Sequence, residues 1–197
     1  MTLPVEKQTP VIDGALEVFS KNVYRKASVA NIAGAAGISK GLVFHYFGSK
    51  KALYLYLIGY CGEVLTSEMN RGFEKEATDY FDRIKTATLI KISVIKRHPS
   101  ILSFLRNMYY ETDPEVEPEI RALASSGISS THNLMLSGAD LSKFKDPSAP
   151  ALLDKMLTWA GEGLILDGAG NDETVEARLD GFIACLDLLR KHFYTCP

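Results

Sequence analysis

Apolar residues recur along this chain at intervals of three and four, and no stretch alternates apolar and polar over the length of a strand. The pattern predicts an all-α protein of about nine helices. Ile12, Ala15, Leu16 and Phe19 share one face of a first helix, opened near Pro10 and closed near Asn22. Ser28 is placed to cap a second helix over residues 29–36, which Gly37 ends. Ser39 caps a third over 40–47. Ser49 caps a fourth, which runs from Lys50 to about Arg71 with Leu53, Leu57, Cys61 and Leu65 on one side. A fifth spans 79–98 until Pro99 stops it, because proline disfavours helix in the residue before it. An aromatic-rich sixth covers 100–110, and Thr112-Asp113-Pro114 marks a stop before a seventh over 115–136. Residues 138–150 hold glycine and two prolines and read as a loop. Amphipathic stretches over 152–166 and 174–193 complete the chain.

Residues 28–51 stand apart, with two short helices joined by Gly37-Ile38-Ser39 and a cap that opens a third. Two helices joined by a tight turn containing glycine present the second helix to the DNA major groove. The expected division is a helix-turn-helix head, residues 1–51, and a helical body, residues 52–197. The groove admits one helix, whose N-terminal residues meet base edges. Here those are Ser39, Lys40, Gly41 and Leu42. Lys40 can donate to guanine O6 and N7 or to a phosphate, Gly41 permits close backbone approach, and Leu42 offers apolar contact, for instance to a thymine methyl. Val43 and Phe47 face inward, with Ile32 and Ile38 as packing partners. Lys50 at the start of the fourth helix makes a phosphate clamp with that helix end. Ser28 serves either as a cap alone or as a cap and a hydroxyl donor to phosphate. Charge agrees with this division. The net charge is -2, yet residues 1–51 hold seven bases (Lys7, Lys21, Arg25, Lys26, Lys40, Lys50, Lys51) against three acids (Glu6, Asp13, Glu17). A basic head on an acidic body suits a polyanionic partner.

Other classes lose ground. The first ten residues carry no secretory pattern, and the longest strongly apolar stretch, 53–58, is far too short to cross a bilayer, so a cytoplasmic protein with no membrane partner is expected. Cys61, Cys185 and Cys196 show neither a metal-ligand spacing nor a disulfide framework. His45, His98, His132 and His192 are scattered, and there is no glycine-rich phosphate loop. No catalysis and no cofactor are expected.

The compound pattern in the head resembles the N-terminal domain of the TetR family of bacterial transcriptional regulators. It comprises Phe19-Ser-Lys-Asn-Val-Tyr24, then Ser28-Val-x-x-Ile-Ala, Ala36-Gly-Ile-Ser-Lys-Gly, Phe44-His-Tyr-Phe and Ser49-Lys-x-x-Leu. Beyond residue 55 the resemblance is architectural only. It implies that Tyr46 bonds a phosphate and His45 faces the groove, while Phe44 lacks the hydroxyl of the tyrosine usual there. It also implies a ligand-responsive regulator, most often a repressor, in which a homodimer grips a palindromic double-stranded DNA operator. An unknown small apolar or aromatic effector releases it by moving the long fourth helix. Phe104, Met108, Tyr109, Tyr110, His132, Met135 and Trp159 are candidate lining for the effector site, with Asn133 and Arg106 as further polar candidates. The last two helices are candidates for dimerisation through Leu152, Leu153, Met156, Leu157, Ala160, Leu164 and Ile165 and through Val175, Leu179, Phe182, Ile183, Leu186 and Leu189. Part of each stripe serves the chain's own core. The alternative is an all-helical small-molecule binding protein whose head is structural.

Overall fold

The computed structural model describes residues 5–72, 78–166 and 174–195, apart from the side chains of 5–8, 128–132, 162, 164–166 and 175. Among the described residues it is all-α. The helices are α1 (Val5–Lys21), α2 (Val29–Ala35), α3 (Lys40–Phe47), α4 (Lys50–Gly72), α5 (Tyr80–Arg97), α6 (Pro99–Tyr109), α7 (Glu117–Leu136), α8 (Ala149–Leu166) and α9 (Val175–Phe193), with a 3-10 turn at Leu141–Lys143. Two prolines sit where a missing N–H costs nothing: Pro99 opens α6, and Pro150 falls in the first turn of α8. The loop over 138–150 is therefore shorter than expected. Pro10 is the exception, since it lies inside α1 and does not open it.

The chain forms two compact units, one of residues 1–65 and 94–127, the other of 66–93 and 128–197. The unit that contains the head is thus larger than residues 1–51. Its core is built on the predicted face of α1: Ile12, Ala15, Leu16 and Phe19 are buried with Ile32, Val43, Leu53, Leu57 and Phe104. Aromatic rings centre it, with Tyr54 edge-on to Phe19 at 4.8 Å, to Tyr24 at 5.1 Å and to Phe104 at 5.3 Å. Gly14 sets the approach of α1 to α2, because a Cβ there would stand 2.7 Å from the backbone nitrogen of Ala36.

The second unit has its own core, around Tyr80, Phe81, Met135, Phe144, Leu153 and Leu186. Arg83 is buried and caps the end of α7. Its Nε donates to the carbonyl of Met135 at 3.1 Å, and its Nη2 to those of Leu134 at 2.7 Å and Ser137 at 2.8 Å. Asp79 joins three segments: it accepts from the N–H groups of Phe81 and Asp82 and pairs with Lys143 at 3.1 Å and Arg190 at 2.5 Å. No helix is long and apolar enough to cross a membrane among the described residues.

Candidate nucleic-acid interface

The head's surface is made by α2, α3 and the first turn of α4, each opened by a serine. Ser28 Oγ accepts from Asn31 N at 3.0 Å, Ser39 Oγ from Leu42 N at 3.3 Å and Ser49 Oγ from Ala52 N at 3.0 Å. Ser28 accepts through a lone pair, so its hydroxyl proton stays available to an acceptor outside the chain. Glycines in the left-handed region make the two turns: Gly37 with φ 66° between α2 and α3, and Gly48 with φ 72° between α3 and α4. These turns fix the angle at which α3 leaves the core.

α3 has one anchored face. Val43 is buried, and Phe47 and Ile38 are half-buried against the same core. Phe47 meets Tyr56 edge-on at 5.3 Å. The opposite face is open. Ser39, Lys40, Gly41, Phe44 and His45 are exposed, and Leu42 and Tyr46 are half-buried. His45 lies edge-on to Tyr46 at 5.2 Å, and the Lys40 ammonium stands 5.8 Å from the centre of the Phe44 ring. A Cβ on Gly41 would meet only Ser39 Oγ, at 3.9 Å, so nothing inside the chain requires glycine there. Of the residues expected to read DNA on α3, a hydroxyl, a cation, bare backbone and an imidazole are therefore accessible, at Ser39, Lys40, Gly41 and His45.

Lys50 departs from expectation. Its ammonium turns inward, donates to the carbonyls of Tyr24 at 3.0 Å and Ala27 at 3.3 Å, and lies 4.2 Å from the centre of the Tyr24 ring. A charge held by two carbonyls and an aromatic face is engaged within the chain, so Lys50 fastens the α1–α2 turn where a phosphate clamp was expected. Two further residues that bind the end of α1 and this turn were missed by sequence reasoning. Asn107 on α6 donates to the carbonyls of Phe19 and Ser20 at the end of α1, and Glu111 accepts from Tyr24 N at 2.6 Å. Both stand more than eighty residues from their partners, and no local pattern marks them.

The candidate effector lining is drawn from both units. Phe104 and Met108 are core residues of the first unit, and Met135 belongs to the core of the second. Tyr109 and Tyr110 are exposed, and Trp159 is 68% exposed. Asn133 is exposed and Arg106 half-buried, while the side chain of His132 lies outside the described residues. Among the dimerisation candidates, Leu153, Leu157, Phe182 and Leu186 are buried in the second unit's own core, and Leu179, Ile183 and Leu189 are half-buried. The side chains of Leu164, Ile165 and Val175 lie outside the described residues. Apolar residues that α8 leaves exposed include Leu152, Met156, Trp159 and Ala160; on α9 they include Ala184, Cys185 and Leu188. Burial separates two stripes that obey the same helical period, and Trp159 falls on the outer one.

Residues 11–57 match the family described as bacterial regulatory proteins, tetR family. The repressor AcnR of Corynebacterium efficiens is 37% identical over 54 residues, which are 27% of this chain and 29% of that protein. The fatty acid metabolism regulator protein of Bacillus subtilis is 26% identical over 110 residues, 56% of this chain and 53% of that one. These matches span between under a third and about half of the curated relatives' length. Likeness in fold extends further. The transcriptional regulator FadR from Bacillus subtilis, solved in complex with stearoyl-CoA, superposes with a TM-score of 0.69 at 17% identity over 90% of this chain and 96% of that one.

Proposed function

We propose that this chain, whose residues 11–57 match the tetR family of bacterial regulatory proteins and whose helical fold is that of its solved neighbours, is a ligand-responsive, DNA-binding transcriptional regulator that acts as a homodimer. One observation carries this reading: α3 is held by Val43 and Phe47 and leaves Ser39, Lys40, Gly41 and His45 exposed, with Tyr46 half-buried beside His45. A rigid helix with a donor-rich N-terminal end is what the major groove accepts. Hydroxyl contacts to phosphate fall to Tyr46 and Ser28, and Lys50 is engaged within the chain.

One head grips DNA weakly, so a two-fold pair reading two half-sites supplies the affinity. The exposed stripes Leu152, Met156 and Trp159 on α8 and Leu188 on α9 support a second copy of this chain as the partner, because apolar stripes of this kind are rarely left in water. An effector with an apolar part is supported by the acyl chain of the stearoyl-CoA bound to a neighbour of the same fold. Bound in the helical body, it favours one of two conformations, α4 shifts, and the paired heads no longer match the half-sites. It does this only to the extent that it binds the two states differently.

The test is titration of the purified chain onto the DNA upstream of its own coding region at about 50 and about 200 mM salt. A saturable complex that weakens steeply with salt is expected. The absence of a complex would overturn the reading. Lys40→Ala with Tyr46→Ala abolishes binding and leaves the melting curve in place; a helical binding protein with a structural head would show no functional change.

A further inference from the structure

Seven bases give residues 1–51 their positive charge, but the structure does not leave all of them available to a polyanion. Lys21 pairs with Glu17 at 2.7 Å, and Lys51 with Glu119 at 2.5 Å. Lys50 is engaged by the carbonyls of Tyr24 and Ala27. The side chain of Lys7 lies outside the described residues. Three cations remain that are exposed and have no acidic partner among the described residues: Lys40 on α3, and Arg25 and Lys26 on the turn between α1 and α2.

That turn is built so that its polar backbone faces inward. The N–H groups of Lys26 and Ala27 donate to the carbonyl of Val23 at 3.0 and 3.2 Å. The Tyr24 N–H goes to Glu111, whose carboxylate also accepts from the N–H groups of Thr112 and Asp113. The Lys50 ammonium takes the Tyr24 and Ala27 carbonyls. What remains on the outside is Val23, Arg25 and Lys26, all exposed, immediately before the Ser28 cap of α2. In a helix-turn-helix the first helix crosses the DNA backbone while the second enters the groove. The residues leading into α2 thus travel beside phosphates.

We propose that Arg25 and Lys26 are the principal phosphate-binding cations of this head, presented by a turn that Lys50 holds in place. The proposal rests on the DNA-binding reading and assigns its backbone contacts. Phosphate contacts carry no base information, so the pair strengthens binding to any duplex equally and adds to its salt dependence. Arg25 can engage a phosphate through two parallel N–H groups, and Lys26 as a point charge.

The experiment is fluorescence anisotropy of the full chain with a labelled random-sequence duplex of about 30 base pairs across a salt series. Arg25→Ala with Lys26→Ala flattens the plot of log affinity against log salt by about 0.9 for each phosphate that is no longer neutralised. Arg25→Lys in the Lys26→Ala background restores the Arg25 part of the slope. Lys21→Ala removes one charge from a paired position and keeps the wild-type slope. Unchanged melting curves confirm that each variant is folded. If the double variant keeps the wild-type slope, or if Lys21→Ala flattens it equally, the assignment is overturned and the DNA-binding reading stands. If the wild type itself binds no duplex in a salt-dependent way, the DNA-binding reading falls first.

Discussion

Gly41 separates stability from function at a single residue. It lies in the first turn of α3, exposed, with room for a side chain inside the chain itself. Glycine in a helix costs roughly 0.5–1 kcal/mol relative to alanine, so Gly41→Ala should leave stability unchanged or raise it by up to about 1 kcal/mol in urea unfolding. In the proposed reading the added methyl stands where the backbone would approach a base edge, and DNA affinity should fall about tenfold, about 1.4 kcal/mol. A variant that loses stability, or binds as the wild type does, would contradict the role given to this position. Gly41, Ser39 and Gly37 were legible in the sequence because their signals are local: a cap, a turn residue and a helix start lie within five positions. Lys50 was legible only as a charge at a helix start. Its partners, Tyr24 and Ala27, are 26 and 23 residues away, and only the folded chain brings them to its ammonium.

Helix packing depends on features that periodicity does not display. The apolar face of α1 was plain from Ile12, Ala15, Leu16 and Phe19, yet the closeness of α1 to α2 rests on Gly14, which no apolar pattern marks. Gly14→Ala brings a methyl against the Ala36 backbone, which no rotamer change relieves. Overpacking of this kind costs about 1–3 kcal/mol, and thermal unfolding should show it together with weakened DNA binding, since α2 carries Ser28. In the second unit the joint is Asp79, which caps α5 and pairs with Lys143 and Arg190. Burial pushes its carboxyl up, but hydrogen bonds from Arg190, the Asp82 N–H and Lys143 outweigh this and hold it below its ordinary 3.8. A group with a lowered folded value stabilises the protein above its ordinary value, and that contribution is lost as pH falls through the folded one. Asp79→Asn keeps a capping oxygen and loses the ion pairs. Its stability should therefore lie below that of the wild type at neutral pH and approach it below about pH 4, as chemical denaturation across pH would record. The true start of α8 was hidden because proline reads as a breaker, but it is tolerated in the first turn.

At the scale of the molecule, periodicity shows that α8 and α9 are amphipathic but not which apolar residues face the chain's own core. Leu153 and Leu157 are buried, whereas Leu152, Met156 and Trp159 on the same helix are exposed. Both groups recur at three and four, so only tertiary burial tells them apart. Leu186 and Leu188 on α9 divide in the same way. Charged residues on the outer stripes should separate the pair and spare the fold. Trp159→Glu with Leu188→Glu is expected to sediment as a monomer at wild-type helicity; a wild type that is itself monomeric would remove the dimer from the account. The fold class and the head were readable because capping and turn chemistry are short-range, while residues for a proposed effector site were not, because apolar and aromatic residues at helical spacing serve a core equally well. The most direct test of the central claim, two heads of one dimer on one operator, is a footprint of the full chain on its upstream DNA. Two protected half-sites related by two-fold symmetry, spaced by one or more helical turns and lost in Lys40→Ala with Tyr46→Ala, are predicted. A single asymmetric footprint, or no protection at micromolar protein and low salt, would contradict it.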